Sequence, residues 1–396
     1  MIETKNATPP QPGKIRDLQL TDLLDFCKNN GFALAVWRQP GKEIQGIIDT
    51  GNTHCQEIDL ESSEPGYLFH PFSDKKIKHF IRAQIRFTVS DGTVAFDPYN
   101  KQQHKDMLRK ISSSDSSSGL DKKMMIFEDH PVEQEKPFIE LVKKAIKEIR
   151  QGHFQKVVPS RIKAIRIEGF DLKTVFQRLI KNYPNAFVSA TFVPEAGLWI
   201  GASPEILVNT EGKRIFQTVA LAGTQSYDGS RSLQDIAWTQ KEIEEQAYVS
   251  RYIINCFKKI RLREFDEIGP KTIIAGKLIH LKTTFRVDME AVNFPQLGTV
   301  MMKLLHPTSA VCGMPLETAS AWLEKNEGYD REFFSGFLGP VNLNENTNLY
   351  VNLRCMKLIE DKAWVYAGAG VTEDSHPEKE WMETSIKMNT LLDVIH

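Results

Sequence analysis

The chain has no excess of charge of either sign: its 396 residues carry 50 Lys and Arg against 51 Asp and Glu. Such a balance supplies no global field for nucleic acid or an anionic membrane, so any attraction to a charged substrate has to be local. Cysteine is scarce and scattered. Cys27, Cys55, Cys256, Cys312 and Cys355 are odd in number and form no CxxC pair, which argues against a disulfide framework or a zinc site and for a reducing cytoplasm. No apolar run reaches the length that spans a bilayer, and the opening MIETKNATPPQPGK lacks the hydrophobic core of a signal peptide, so a cytosolic protein is expected. Walker and Rossmann glycine fingerprints are absent. The rest is ordinary globular composition, 41% hydrophobic and 26% charged, in a chain long enough to bury a large core.

Residues 1–15 read as a polar lead-in, and ISSSDSSSGLDKK (111–123) as a mobile loop with too little apolar material to pack. GFALAVWR, QGIID and FIRAQIRFTV read as strands; in the last, Ile81, Ala83, Ile85, Phe87 and Val89 alternate with polar residues. Phe138, Leu141, Val142, Ala145, Ile146 and Ile149 recur at helical intervals, with Gly152 as the stop. KVVPSRIKAIRI is then a strand, AFVSATFV–PEAG–LWIGASPEILV a hairpin, and NLYVNLRCMKLI–EDK–AWVYAGAGV a second one. SAWLEKN is helical, and a last helix starts near Pro377, a residue suited to a first turn. Hairpins mixed with helices, without an internal repeat, predict an α+β fold of layered, largely antiparallel sheets flanked by helices.

Two stretches, WTQKEIEEQAY and EWMETSIK, each carry Glu-x-x-Glu. On a helix the face of Glu242 and Glu245 continues into Val249, Ile253, Cys256 and Ile260, and that of Glu380, Glu383 and Lys387 into Leu391 and Val394. Glu244 falls on the solvated side with Lys241, Tyr248 and Arg251. Carboxylates on an apolar stripe need a cation, an ion pair or a wet cleft. Without histidine or thiolate ligands, a hard cation such as Mg2+ suits them; two exposed charged helices satisfy the spacing equally well. In GASPEIL, Glu205 follows a strand end and Pro204, where desolvation would make it a general acid, against the alternative of a turn glutamate. Lys156 opens a strand beside Val157 and Val158, a setting that favours the neutral amine a base requires, although strand-end lysines are commonly solvated. Arg354 interrupts an apolar run and calls for a carboxylate from a substrate or from the protein itself. The turns AGAG (367–370) and LAGT (221–224) offer backbone N–H groups to an anion, and His280 has the setting of a core histidine.

In order along 130–396, KVVPSR, GASPEIL, LAGT, KEIEEQ, IHLKTTF, LLHPTSAVCGMP, YDREFFSGFLG, VNLRCMKL, YAGAGV and EWMETSIK resemble the chorismate-utilising enzymes, the family of isochorismate, salicylate, anthranilate and aminodeoxychorismate synthases. The resemblance implies the anthranilate synthase component I-like fold, with residues 1–130 as its variable part, where GYLFHPF is the best match, and 131–396 as the chorismate-binding region. It also implies Mg2+ held directly by Glu245 and Glu383 and through water by Glu242 and Glu380, with Lys387 neutralising the ring carboxylate. Arg354 with Ala367, Gly368 and Gly370 would hold the enolpyruvyl carboxylate; Gly223 and Thr224 would contact the ring carboxylate, and His280 would line the ring pocket.

Two positions sort the family by reaction. Lys156 stands where isochorismate and salicylate synthases have the base that activates water, and Ala222 where aminodeoxychorismate synthases have a lysine. The expected reaction is attack of water at C2, with Lys156 taking its proton and Glu205 protonating the departing C4 hydroxyl, to give isochorismate. No glutaminase-type GxCxG is present, so no amidotransferase partner is expected, and the resemblance leans towards a monomer. Pro159, Gln246 and Gln225 depart from the family's usual leucine, histidine and arginine; Pro159 cannot donate to a ladder, which predicts an edge or bulge there. Salicylate synthase, which goes on to eliminate pyruvate, and a noncatalytic carboxylate-binding homologue are the rival readings. Use of the product in menaquinone, siderophore or other synthesis is left open.

Overall fold

Every residue of the strand Ala33–Arg38 is buried, and its alternate side chains enter two different cores: Leu34 and Val36 one, Ala33, Ala35 and Trp37 the other. A strand without a solvated face requires cover on both sides, and this requirement organises the molecule. The computed structural model describes residues 18–90, 92–97, 125–128, 135–227, 229, 232–275 and 278–395. The expected lead-in 1–15 and the Ser-rich loop 111–123 lie outside the described residues.

Among the described residues the α-helices are α1 (Leu20–Asn30), α2 (Glu135–Arg150), α3 (Leu172–Asn182), α4 (Gln240–Lys259), α5 (Leu297–Leu305), α6 (Leu316–Asn326) and α7 (Pro377–Ile395). A ten-stranded antiparallel sheet has Ala33–Arg38, Phe187–Val193, Gly197–Ser203, Cys355–Ile359 and Lys362–Gly368 at its centre. Its outer face is covered by α1, α3 and α7 through Leu24, Phe176 and Leu391, among others. A nine-stranded antiparallel sheet, centred on Ile206–Glu211, Thr347–Val351 and Phe337–Val341, is covered by α4 and α5. The two inner faces meet over Trp37, Tyr67, Phe69, Trp199, Phe333 and Tyr366, giving a helix–sheet–sheet–helix stack. Strands from 33–96 run in both sheets alongside strands from the later part of the chain.

At one end α2 packs on α7 and shares a core with α6, burying Phe138, Val142, Ile146 and Ile149, each worth about 1.5–3 kcal/mol. Gly152, at φ +80°, ends that helix as its position predicts. Three other expectations need correction. FIRAQIRFTV is two strands, Lys78–Arg82 in one sheet and Ile85–Ser90 in the other. KVVPSRIKAIRI breaks at Pro159 into Lys156–Val157, which pairs with Gly313–Met314, and Ser160–Glu168 in the ten-stranded sheet. Both hairpins form, yet each has an end that leaves its sheet: Ile206–Glu211 and Thr347–Val351 belong to the nine-stranded one. No helix among the described residues is long and apolar enough to cross a membrane. All five cysteines are free.

Candidate active site

The two places where strands change sheets lie side by side. Pro204–Glu205 connects Gly197–Ser203 to Ile206–Glu211, and Asn352–Leu353–Arg354 connects Thr347–Val351 to Cys355–Ile359. Val351 N donates to Glu205 O (3.0 Å), Ala202 N to Arg354 O (3.0 Å), and the Ser203 hydroxyl to Val351 O (2.6 Å). The small residues of GASPEIL allow this approach: a Cβ on Gly201 would lie 2.9 Å from the Cβ of Cys355. Arg354 takes φ +47° at the crossing. Glu205, 5% exposed, is pushed up to about 7 by burial, against the opposing pull of Lys156, Thr308, Lys387 and Arg354. It is no solvated turn residue.

Lys156 is brought opposite by the short ladder with Gly313–Met314 and by reciprocal bonds between Val157 and Val371. It is 2% exposed, with Nζ 3.6 Å from Glu245 Oε1, beyond hydrogen-bonding range. Gly370 lies against both side chains. A Cβ there would stand 2.5 Å from that same Oε1 and 3.1 Å from Lys156 Cε. The AGAG turn is tied to α7 by Lys387, whose Nζ donates to Gly368 O (2.9 Å) and Glu383 Oε1 (2.6 Å).

The apolar stripe of α4 is buried at Val249, Ile253 and Cys256, and Glu244 and Arg251 are exposed, as the spacing predicts; Lys241 and Tyr248, expected on the solvated side, are half-buried, as is Ile260. Glu245 and Glu383 both line the cavity. Glu380, 1% exposed, takes an ion pair from Lys241 (2.8 Å), and its Oε2 is buried without a partner. Burial and then the charge of Glu383 push Glu380 up, whereas in Glu383 burial is opposed by Lys387, Lys241 and Arg354, which together hold the carboxyl down. Glu242 is placed differently from expectation: its Oε2 accepts from Thr239 N (2.7 Å), closing a capping box on its own helix. Thr-x-x-Glu at a helix start was the signal for that role. Glu242 and Glu380 do not line the cavity, and among the described residues the four glutamates do not form a set of three ligand atoms within 4.8 Å. The donors nonetheless fit a hard cation: oxygens from Glu245 and Glu383 at one cavity, with the orphaned Glu380 oxygen on the same helix.

The third wall is the pair Ile215–Ser226 and Leu278–Asp288, whose register shifts between Ala222 and Thr224 around Gly223 at φ +71°. His280 Nδ1 lies 3.0 Å from Gly223 O, and a carbonyl only accepts, so Nδ1 carries the proton. Its Nε2 is buried without a partner. Burial, then Arg354, pushes the ring down to about 3, leaving a neutral imidazole with an acceptor at the cavity.

The cavity so enclosed measures about 810 Å3 with its mouth, and Lys156, Glu205, Ala222, Gly223, Thr224, Glu245, His280, Arg354, Ala367, Gly368, Gly370, Glu383 and Lys387 all line it. Residues missed in the sequence are Ser160, Ala310, Val311, Arg331, Ser335 and Tyr366 on its walls, and Thr308, whose hydroxyl donates to Glu205 at 3.5 Å. Their signals were LLHPTSAVCGMP for Thr308, Ala310 and Val311, YDREFFSGFLG for Arg331 and Ser335, KVVPSR for Ser160 and YAGAGV for Tyr366. Arg331 is engaged by Glu327 (2.5 Å) and two backbone carbonyls, so its role is to hold the wall.

A sequence profile of the family described as chorismate binding enzymes matches residues 75–396. The chain belongs to that family. Isochorismate synthase EntC of Escherichia coli K12 is 27% identical over 347 residues, covering 82% of this chain and 86% of EntC. The solved structure of DhbC from Bacillus anthracis superposes with a TM-score of 0.72 at 24% identity, covering 94% of this chain and 99% of that one. Anthranilate synthase component I from Streptococcus pneumoniae TIGR4 gives 0.67 at 16% identity, covering 98% and 95%. The expected α+β fold, shared with anthranilate synthase component I, is therefore the fold of this chorismate binding enzyme.

Proposed function

We propose that this family member is an isochorismate synthase, converting chorismate and isochorismate into one another. The observation that carries the reading is the pairing of buried Lys156 and buried Glu205 on one cavity, with Ala222 in the turn where an amine-transferring relative has lysine. Chorismate is a dicarboxylate, and the cavity offers Lys387 and Arg354 as cations near the backbone of the LAGT and AGAG turns. Arg354 and the AGAG turn seat the enolpyruvyl carboxylate, while Gly223, Thr224 and Lys387 face the ring carboxylate.

Glu245 and Glu383 would hold Mg2+, with Glu380 assisting through water; the ion supplies positive charge that orients and neutralises the ring carboxylate. Lys156, not hydrogen-bonded to Glu245, takes a proton from the water that attacks C2. The ring double bonds shift, and Glu205, raised to about 7, protonates the leaving C4 hydroxyl. Glu205 thus keeps its proton towards neutrality, opposite to its preference in water, because burial disfavours the carboxylate. His280 accepts a hydrogen bond from a ring hydroxyl through Nε2.

Incubation of the protein with chorismate and Mg2+, followed by NMR of the products, tests this. Isochorismate alone is expected. Salicylate with pyruvate would make the protein a salicylate synthase, and unchanged chorismate would make it a binder without activity.

A further inference from the structure

Among the described residues there is a second hollow, about 800 Å3, below α5 and the strand Gly66–His70, and three of its lining residues form a cluster unrelated to the chorismate cavity. His70, Asp74 and His306 each present a ligand atom, all within 4.8 Å of one another. Both rings are held in place. His70 is 5% exposed and stacks on Phe337 at 4.3 Å; His306 is 7% exposed and meets the same ring edge-on at 4.8 Å.

Backbone carbonyls orient the nitrogens. His70 Nδ1 lies 2.8 Å from Pro71 O and His306 Nε2 lies 3.0 Å from Phe72 O. Each of those nitrogens must donate, so in the neutral rings His70 Nε2 and His306 Nδ1 keep their lone pairs. This is the arrangement in which metal-binding histidines are commonly found, with the far N–H on a carbonyl. His70 Nε2 also stands 3.2 Å from Asp74 Oδ1, close to the roughly 3.3 Å that separates tetrahedral ligands of an ion bound at about 2.0–2.1 Å. At that distance the pair shares a cation, either the proton of a charged His70 ring or a metal ion in its place. Lys78 Nζ also pairs with that Oδ1, at 3.3 Å.

We propose that His70, Asp74 and His306 form a binding site for a borderline divalent transition metal of the Zn2+ class, with its fourth position open to the hollow. Two imidazoles and one carboxylate suit such an ion and not Mg2+, so the site is chemically separate from the glutamates of the cavity. Scattered cysteines exclude a thiolate site but leave a His2Asp one untouched. The ion would clasp the end of Gly66–His70 to the residue that leads into Thr308, beside Glu205, and into Ala310 and Val311 on the wall of the first cavity.

The test is a titration of the metal-free full chain with Co2+ in saturating Mg2+, read by visible absorption, with Zn2+ as competitor. One equivalent giving the intense bands of tetrahedral Co2+ is expected, displaced by Zn2+ and unchanged in His54→Gln, which removes a ligand from the other cluster, His54–His79–Glu195. Asp74→Asn should weaken binding at least tenfold and His70→Gln abolish it. Asp74 is mostly exposed, so its substitution keeps the test informative if the buried His70 change impairs folding. Equal affinity in wild type and Asp74→Asn, or no tetrahedral bands in wild type, overturns the proposal.

Discussion

Glu205 carries a cost that its chemistry explains. Below the usual 4.5 of a glutamate the group is protonated in both folded and unfolded chains and neutral to stability. Between 4.5 and about 7 the unfolded chain ionises while the buried carboxyl does not, so folding becomes progressively less favourable as pH rises. The full penalty, on the order of 3 kcal/mol, applies above about 7. Glu205→Gln is therefore expected to stabilise the protein at pH 8 by up to about that amount, to leave it unaltered at pH 4.5, and to lower turnover by roughly 10²–10⁴-fold. Urea unfolding at the two pH values, with turnover at neutral pH, reads both parts. Lys156→Ala should lose turnover over the same range, and wild-type turnover in both variants would remove them from the reaction. Gly370→Ala places a methyl 2.5 Å from Glu245 Oε1, and the Mg2+ concentration needed for half-maximal activity should rise about 10–100-fold.

At the scale of elements, α4 and α7 deliver the carboxylates while the first turn of α4 is held by its own capping box. Thr239→Ala should lower stability by about 0.5–2 kcal/mol through loss of the capping box, seen as a lower melting temperature, with the Mg2+ requirement unchanged because Glu242 does not line the cavity. A changed Mg2+ requirement at unaltered stability would return Glu242 to the metal. Helices of this kind were legible because one wall of each is apolar at a 3.6-residue period: Val249, Ile253 and Cys256 declared the inward side of α4, and Phe138 to Ile149 that of α2. Pro159 announced an irregularity in its strand, though not that the chain divides there between two sheets. The sheet exchanges at 82–85, 203–206 and 351–355 were hidden, since a strand buried on either inner face keeps the same alternation when it passes from one sheet to the next. Those exchanges place Glu205 and Arg354, which motif and resemblance singled out but local pattern could not position.

For the molecule as a whole, the weaving of strands from 33–96 into both sheets sets what can be removed. Ala33–Arg38 pairs with Phe187–Val193, and Gly66–His70 with Phe337–Val341, so a fragment of 131–396 would expose two central ladder edges and the inter-sheet core at Trp199 and Phe333. Such a fragment is expected to show no cooperative thermal transition and no turnover; a fragment that melts cooperatively and turns over chorismate would show that the C-terminal region folds by itself. The order of strands within each sheet is set by pairings between residues hundreds of positions apart, which no local pattern encodes, whereas the membership of the cavity was largely legible through its motifs.

The central claim is that Lys156 and Glu205 share one cavity in order to exchange a ring hydroxyl with water. It is tested most directly by running the reaction on chorismate with Mg2+ in H2¹⁸O and locating the label by mass spectrometry and NMR. One ¹⁸O in the C2 hydroxyl of isochorismate is the predicted result; isochorismate without solvent oxygen, or an aminated product formed when ammonia is supplied, would contradict it.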